Sequence, residues 1–163
     1  MKKGFTLVEL LAVIVIIGLI ATITSPIITD VITTSKRKSF EDSAIMLTKA
    51  AQNYYSSLTL DDTVKIPILV TFDEKNETNK YLNNNTKTCE TSSKRILPYS
   101  GVNPDSGNIY IDNSGNIIMA IYSKAAGECA IKNASDKTAT FSNKSQSECK
   151  LENSPCWWNL LKL

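Results

Sequence analysis

The sequence contains no histidine among its 163 residues. Histidine is the side chain whose ordinary pKa suits general acid and base chemistry near neutral pH, and it is the commonest metal ligand. The sequence also lacks the Gly-x-Ser-x-Gly elbow of hydrolases and the Gly-x-x-x-x-Gly-Lys loop that holds phosphates. Nothing in the pattern places two carboxylates together. The sequence therefore predicts a protein that is not an enzyme and uses no cofactor and no metal.

A large excess of one charge is missing as well. Lysine and arginine number 18 against 16 acidic residues, a formal charge of +2. Lys2 and Lys3 both precede Gly4, so the remainder of the chain has 16 residues of each sign and no net charge. Without a basic field the sequence does not indicate strong nucleic-acid binding. A local cluster at residues 36–38 still permits weak DNA binding.

Cysteine is scarce, and its four copies, Cys89, Cys129, Cys149 and Cys156, lie far from the N-terminus. Their separations of 40, 20 and 7 residues match no Cys-x-x-Cys metal pair. An even number suits two disulfides in an oxidising compartment, each contributing about 3 kcal/mol. We favour Cys129–Cys149 with Cys89–Cys156, although the sequence leaves the pairing open. The C-terminal part is therefore expected outside the cytoplasm.

One long apolar run stands out at residues 10–29, which carry no charge. Twenty helical residues span about 30 Å, the thickness of a bilayer core. Glu9 directly precedes this run, and a carboxylate in hydrocarbon costs roughly 2.5–3.5 kcal/mol unless it is partnered or snorkels to the interface. A cleaved signal peptide fits poorly, because the nearest small-x-small site, at residues 21–23, is poorly formed. A plain membrane anchor fits by length.

The orientation of this run depends on conflicting charges. Lys2 and Lys3 favour a cytoplasmic N-terminus, whereas the basic residues 36–38 follow the run on the opposite side. The cysteines decide in favour of an external C-terminus. We therefore expect a single-pass protein of the cytoplasmic membrane with its N-terminus inside.

The N-terminus resembles the class III signal of type IV prepilins over residues 2–11, KKGFTLVELL. The resemblance implies cleavage between Gly4 and Phe5 by a prepilin peptidase, followed by N-methylation of Phe5. It also implies that Glu9 meets the Phe5 amine of a neighbouring subunit during filament assembly, as a buried carboxylate needs a cationic partner. The implied partners are the membrane, other pilin copies, and the assembly platform with its ATPase.

Three functions remain open at this point. The first is a major or minor subunit of a type IV pilus, serving adhesion, motility or DNA uptake and ending in an extracellular filament. The second is a pseudopilin or competence pilin of a related secretion or DNA-uptake system. The third, from another class, is an extracellular binding module tethered to the membrane.

Helical periodicity continues beyond the apolar run. Six residues recur at steps of three and four and define one helix face: Phe40, Ala44, Leu47, Ala51, Tyr54 and Leu58. That face is expected to lie against a sheet, within one helix from residue 5 to about 58. Pro26 lacks a backbone donor and clashes with the preceding turn, so we expect a kink there. In the pilins that this chain resembles, a proline at this position lies in a stretch that can lose its helix in the filament.

The remainder is rich in Asn, Ser, Thr and Asp, which indicates a small sheet with turns. Residues 64–72 alternate, but Pro67 restricts them to an edge strand or an extended loop. Residues 73–85 look like an exposed loop. Two hairpins are expected, pairing residues 108–112 with 116–122 and residues 129–132 with 138–141.

Two further features of this half have competing interpretations. Asp105 and Asp112 each begin an oxygen-rich stretch, but the twelfth positions are Asn116 and Ser123 and not Glu, so turn chemistry explains them better than calcium. The apolar tail, residues 155–163, is either a last strand that closes the core or an exposed surface for adhesion. Core packing is the commoner fate of paired tryptophans.

The expected architecture is an α+β fold of the type IV pilin kind, stabilised by disulfides. A long N-terminal helix packs on a small antiparallel sheet. The expected parts are a leader at residues 1–4, a transmembrane and assembly half of the helix at 5–29, an amphipathic half at 30–58, and an extracellular head at 59–163.

Overall fold

The computed structural model describes residues 6–60, 67–74, 76–83, 88–94 and 96–151. Within these ranges the side chains of Pro26, Leu82, Asn83, Thr88 and Cys89 are not described. The chain divides into two compact units, Met1–Lys36 and Arg37–Leu163.

One helix, α1, runs over Leu7–Thr59, 53 residues, as the periodicity predicted to within two residues at its start. Helical backbone continues through Pro26, which has no N–H to donate to the carbonyl of Thr22. The kink expected at Pro26 stays a prediction, because continuous helical backbone does not by itself determine whether the helix axis bends. In the N-terminal unit the large apolar side chains of α1 are between 45% and 81% exposed. Within the described part of the chain, α1 is the one helix long and apolar enough to cross a membrane.

The second unit contains a seven-stranded antiparallel sheet in the order β3-β2-β1-β4-β5-β6-β7. The strands are β1 (Ile68–Asp73), β2 (Asn76–Asn83), β3 (Thr88–Ser92), β4 (Ser106–Ile111), β5 (Ile117–Ser123), β6 (Glu128–Lys132) and β7 (Thr140–Ser142). The chain returns from the β3 edge to the middle of the sheet through residues 93–105. Leu97 of this crossing segment is fully buried in the core, and Val102 donates its N–H to Ser43 Oγ at 2.8 Å.

The core forms between one face of the sheet and the predicted face of α1. Phe40, Ala44, Leu47 and Ala51 are at most 1% exposed, and Tyr54 and Leu58 are half-buried against the same cluster. The sheet contributes alternate residues of its central strands: Ile68, Val70, Phe72, Ile109, Ile111, Ile117, Met119, Ile121 and Ala130. Burying one such side chain contributes about 1.5–3 kcal/mol, so this cluster dominates the stability of the head. The result is the α+β arrangement that the resemblance implied.

Two expectations about the first strands are wrong. β1 is a central strand, flanked by β2 and β4, and not an edge strand. The strand begins at Ile68, directly after Pro67, so the proline never has to donate to the ladder. The region expected to be an exposed loop contains β2, whose residues 76–81 pair with β1.

The two predicted hairpins are confirmed, with β4 paired to β5 and β6 paired to β7. In the first turn, Asp112 Oδ1 accepts the N–H groups of Ser114 and Asn116, both at 2.8 Å. Asp105 Oδ2 likewise accepts the N–H of Lys124 at 2.7 Å. The Asp112 carboxylate thus serves the turn expected there, whereas the Asp105 carboxylate bonds a residue 19 positions further on, just after β5.

Two glycines provide a matched test of the sheet. Gly107 in β4 has a φ of 129°, and an added Cβ would meet the carbonyl oxygen of Ala120 and the Cα of Ile121 at distances that real Cβ atoms do not show. Gly127 has a φ of 68° but no described heavy atom within 4 Å of such a Cβ. We expect Gly127→Ala to lower the free energy of unfolding by about 1 kcal/mol and Gly107→Ala by about 2–5 kcal/mol. Denaturant unfolding of the full chain in detergent, followed by far-UV circular dichroism, measures both; equal losses would contradict the close approach of β5.

Candidate functional site

The first turn of α1 is closed by a reciprocal pair of side chains. Glu9 Oε2 accepts the backbone N–H of Thr6 at 2.9 Å and the Thr6 hydroxyl at 2.8 Å. In return, Thr6 Oγ1 accepts the N–H of Glu9 at 3.3 Å. This is a capping box, in which residues three apart satisfy donors that a helix start leaves unpaired. The carboxylate also lies at the positive end of the helix dipole.

The sequence analysis assigned Glu9 a role between subunits and missed this local one. The Thr-x-x-Glu pattern before an apolar run, residues 6–9, is the signal that identifies it. Glu9 is therefore already hydrogen-bonded within its own chain, in a turn that is exposed. Any pairing with a neighbouring subunit has to replace or supplement these bonds.

Three threonine hydroxyl groups of the apolar part of α1 bond to carbonyls of the helix itself. Thr22 donates to the carbonyl of Leu19 at 2.8 Å, and Thr24 donates to that of Ile20 at 3.0 Å. Thr29 does the same to the carbonyl of Ser25, at 3.2 Å. Such back-bonding removes the need for water at these positions, which allows this stretch to sit in an apolar medium.

Several predicted site residues lie outside what the structure describes. Gly4 and Phe5, the proposed cleavage and methylation residues, precede the first described residue, and Cys156 lies in the C-terminal part that is not described. Cys89 belongs to the backbone of β3, but its side chain is not described. The pairing Cys89–Cys156 therefore stays a prediction, as does the tail's packing.

A disulfide joins Cys129 to Cys149, the first of the two pairings that the sequence analysis favoured. Cys129 lies in β6 and Cys149 follows the turn after β7, and both are fully buried. Ala130 on the next position of β6 belongs to the core under α1, so Cys129 faces the other side of the sheet. The bridge thus holds residues 143–149 against the face that α1 does not cover. Ala120, on that face of β5, is 1% exposed.

The turn before Cys149 repeats the capping-box geometry. Glu148 Oε2 accepts the Ser145 hydroxyl at 2.6 Å and the Ser145 N–H at 3.0 Å. These bonds favour the carboxylate and hold the pKa of Glu148 below its ordinary value, the hydroxyl being the larger cause. The turn that carries the disulfide is therefore ordered locally as well as covalently.

An ion pair ties the beginning of the second unit to the sheet. Arg37 Nε lies 3.3 Å from Glu128 Oε1, and the side chain of Glu128 is 10% exposed. Arg37 belongs to the basic cluster at residues 36–38, so one of its three charges is neutralised within the chain. This weakens the local patch that permitted DNA binding.

Within the described residues, no group of three or more His, Cys, Asp or Glu side chains is placed to hold a metal ion. The apolar helix with its capped carboxylate is a candidate site, because its large apolar side chains are exposed. Its chemistry is association, because large apolar side chains exposed to water gain roughly 25 cal/mol per Å² on being covered.

Comparison with known proteins gives one match. A family model described as the prokaryotic N-terminal methylation motif matches residues 1–25. No curated protein and no solved structure matches the chain. The motif supports a type IV pilin-like precursor, a class of structural subunits processed by prepilin peptidase. Together with the apolar helix it supports anchoring in a membrane.

Thr6 provides a direct test of the capping box. Replacing Thr6 by Ala removes the hydroxyl that accepts the Glu9 N–H and donates to its carboxylate, which should cost about 1 kcal/mol and speed amide hydrogen exchange at Glu9 and Leu10 about 5-fold. Thr6→Ser retains the hydroxyl and should leave the rates unchanged. Exchange is measured on the full chain in detergent micelles. Unchanged rates in Thr6→Ala would show that Glu9 is not held locally before assembly.

Proposed function

We propose that the chain is a structural subunit of a type IV pilus, stored in the cytoplasmic membrane and polymerised through the first half of α1. In this proposal a prepilin peptidase cuts between Gly4 and Phe5, and Phe5 is then N-methylated. The N-terminal methylation motif at residues 1–25 carries the proposal. The chain acts mechanically and not as an enzyme; the ATP that drives assembly is consumed by partner proteins.

The uncovered surface of α1 supports polymerisation. Its large apolar side chains in residues 7–32 are at least 45% exposed, and none of the membrane-length window is buried. A lipid bilayer covers such a surface before assembly, and the same helices of neighbouring subunits cover it afterwards. A contact between different surfaces of successive copies that does not close into a ring propagates as a helical fibre.

The charge of Glu9 supports a specific register between subunits. Cleavage after Gly4 would create an α-amino group on Phe5, one residue before the capping residue Thr6. In a filament core that excludes water, the carboxylate gains from an ammonium partner, and removing one member of such a buried pair costs about 3–5 kcal/mol. The bonds to Thr6 keep the carboxylate satisfied until that partner arrives.

The head supports an extracellular position. Its fully buried Cys129–Cys149 disulfide suits an oxidising compartment. A membrane-tethered binding module would share this head but would have no use for a leader that ends in Gly4 and is followed by Phe5. The two functions therefore differ in what happens at the N-terminus.

The N-terminal peptide of the native protein tests processing. We expect mass spectrometry of the membrane-bound form to find a chain that begins at Phe5 and carries one methyl group on its amine. Deletion of the prepilin peptidase in the producing cell should restore a chain that begins at Met1. A native protein that retains residues 1–4 and never occurs in polymers would refute the proposal.

Glu9 tests assembly separately from processing. We expect Glu9→Ala to abolish sheared filaments while the subunit stays in the membrane, because the register between subunits loses its ion pair. Asp30→Ala is the matched control, since Asp30 is the next carboxylate of α1 and is also exposed. Electron microscopy and immunoblots of sheared and membrane fractions give the result. Normal filaments from Glu9→Ala would exclude the pairing role.

A further inference from the structure

A cavity of about 450 Å³ lies in the head between the last turns of α1 and the first strands of the sheet. Tyr54 and Leu58 of α1, Ile68 of β1, and Asn79 and Tyr81 of β2 line it. Its volume falls within the range of small-molecule sites, about 300–1,000 Å³. The cavity belongs entirely to the second unit and shares no residue with the assembly segment.

Asn79 is the unusual residue of this cavity. It is 2% exposed, and its Nδ2 donates to the carbonyl oxygen of Lys94. Its Oδ1 is buried and has no hydrogen-bond partner among the described residues. The opposite amide orientation would place two acceptors against each other, so the carbonyl of Lys94 fixes the assignment. A buried acceptor without a donor is unfavourable, which leaves this position complementary to a ligand that supplies one.

The remaining walls combine aromatic faces with hydroxyl groups. Tyr54 and Tyr81 are both half-buried and pack against the hydrophobic core. Burial, with a smaller contribution from nearby Tyr81, raises the pKa of Tyr54, so its hydroxyl stays protonated and can donate. Leu58 and Ile68 complete an apolar wall. Among the described lining residues there is no carboxylate, and the one charged residue is the exposed Lys94.

We propose that this cavity binds a pyranose ring, as a free sugar or as the end of a glycan. A sugar ring offers C–H faces that pack on aromatic rings and hydroxyl groups that donate as well as accept hydrogen bonds. One sugar hydroxyl donates to Asn79 Oδ1, a sugar oxygen accepts from the Tyr54 hydroxyl, and the ring lies against the face of Tyr81. Because Oδ1 is screened from solvent in the unliganded chain, binding includes a rotamer change of a side chain in the cavity wall, a common adjustment at binding sites.

The test uses the full chain in lauryldimethylamine oxide micelles, since this detergent has no sugar headgroup. Saturation-transfer NMR is recorded with methyl galactoside, methyl mannoside and N-acetylglucosamine at millimolar concentrations. We expect at least one sugar to receive saturation from the protein. Asn79→Leu and Tyr54→Phe should each weaken its binding about 10-fold, because each removes one hydrogen bond to the sugar and keeps the size of the side chain.

Tyr110→Phe is the matched control. Tyr110 is also half-buried, but it lies between the core residues Ile109 and Ile111 and therefore faces the other side of the sheet. Its substitution should leave binding unchanged.

Absence of saturation in the unmodified chain would overturn the proposal and assign ordered water to the cavity. Equal binding by Tyr54→Phe, or an equal loss in Tyr110→Phe, would overturn it too. Tyr54→Phe decides the question if Asn79→Leu fails to fold. The test needs no filament, so its outcome is independent of the proposed assembly.

Discussion

The apolar side chains of residues 7–32 require a cover that the described chain does not supply. Single exposed leucines are common on protein surfaces, but these side chains form one continuous apolar surface, and its exposure to water is unfavourable. Two media provide such a cover without any change of sequence, a lipid bilayer and a bundle of identical helices. A protein that moves between these media needs a helix whose polar groups are all satisfied internally. The hydroxyls of Thr22, Thr24 and Thr29, which bond to carbonyls of their own helix, meet this requirement at their positions.

In the head, by contrast, the chain buries its own apolar side chains. From Phe40 onward α1 has one face that packs on the antiparallel sheet, with Phe40, Ala44, Leu47 and Ala51 buried there. On the other face of the sheet, the disulfide joins Cys129 to Cys149, and the capping turn at Ser145 orders the residues before Cys149. The head is therefore stable through its own contacts, whereas the first half of the helix is available for association.

Local sequence information was sufficient wherever neighbours in the chain determine the outcome. The face containing Phe40 and Leu47, and the hairpin closed by Asp112, were predicted because helix periodicity and turn chemistry act over a few residues. The capping box of Thr6 and Glu9 is equally local, since Thr-x-x-Glu before an apolar run is its signal, but it was not predicted. Local sequence did not predict that residues 76–83 form strand β2. Its Glu77 and Asn79 are polar, and they can lie over the core because Ile96 and Lys94, distant in sequence, supply their hydrogen-bond partners.

The sequence alone determined the processing signal, the membrane-length helix and the helix face that packs on the sheet, because each follows from residue types at fixed spacing. The tertiary structure decided that β1 is central, since only the pairing of β1 with both β2 and β4 reveals that Pro67 stands outside the ladder. It also decided which cysteine meets Cys129, and where Asn79 is left with a buried acceptor. These outcomes depend on contacts between residues far apart in the chain, which no local pattern records.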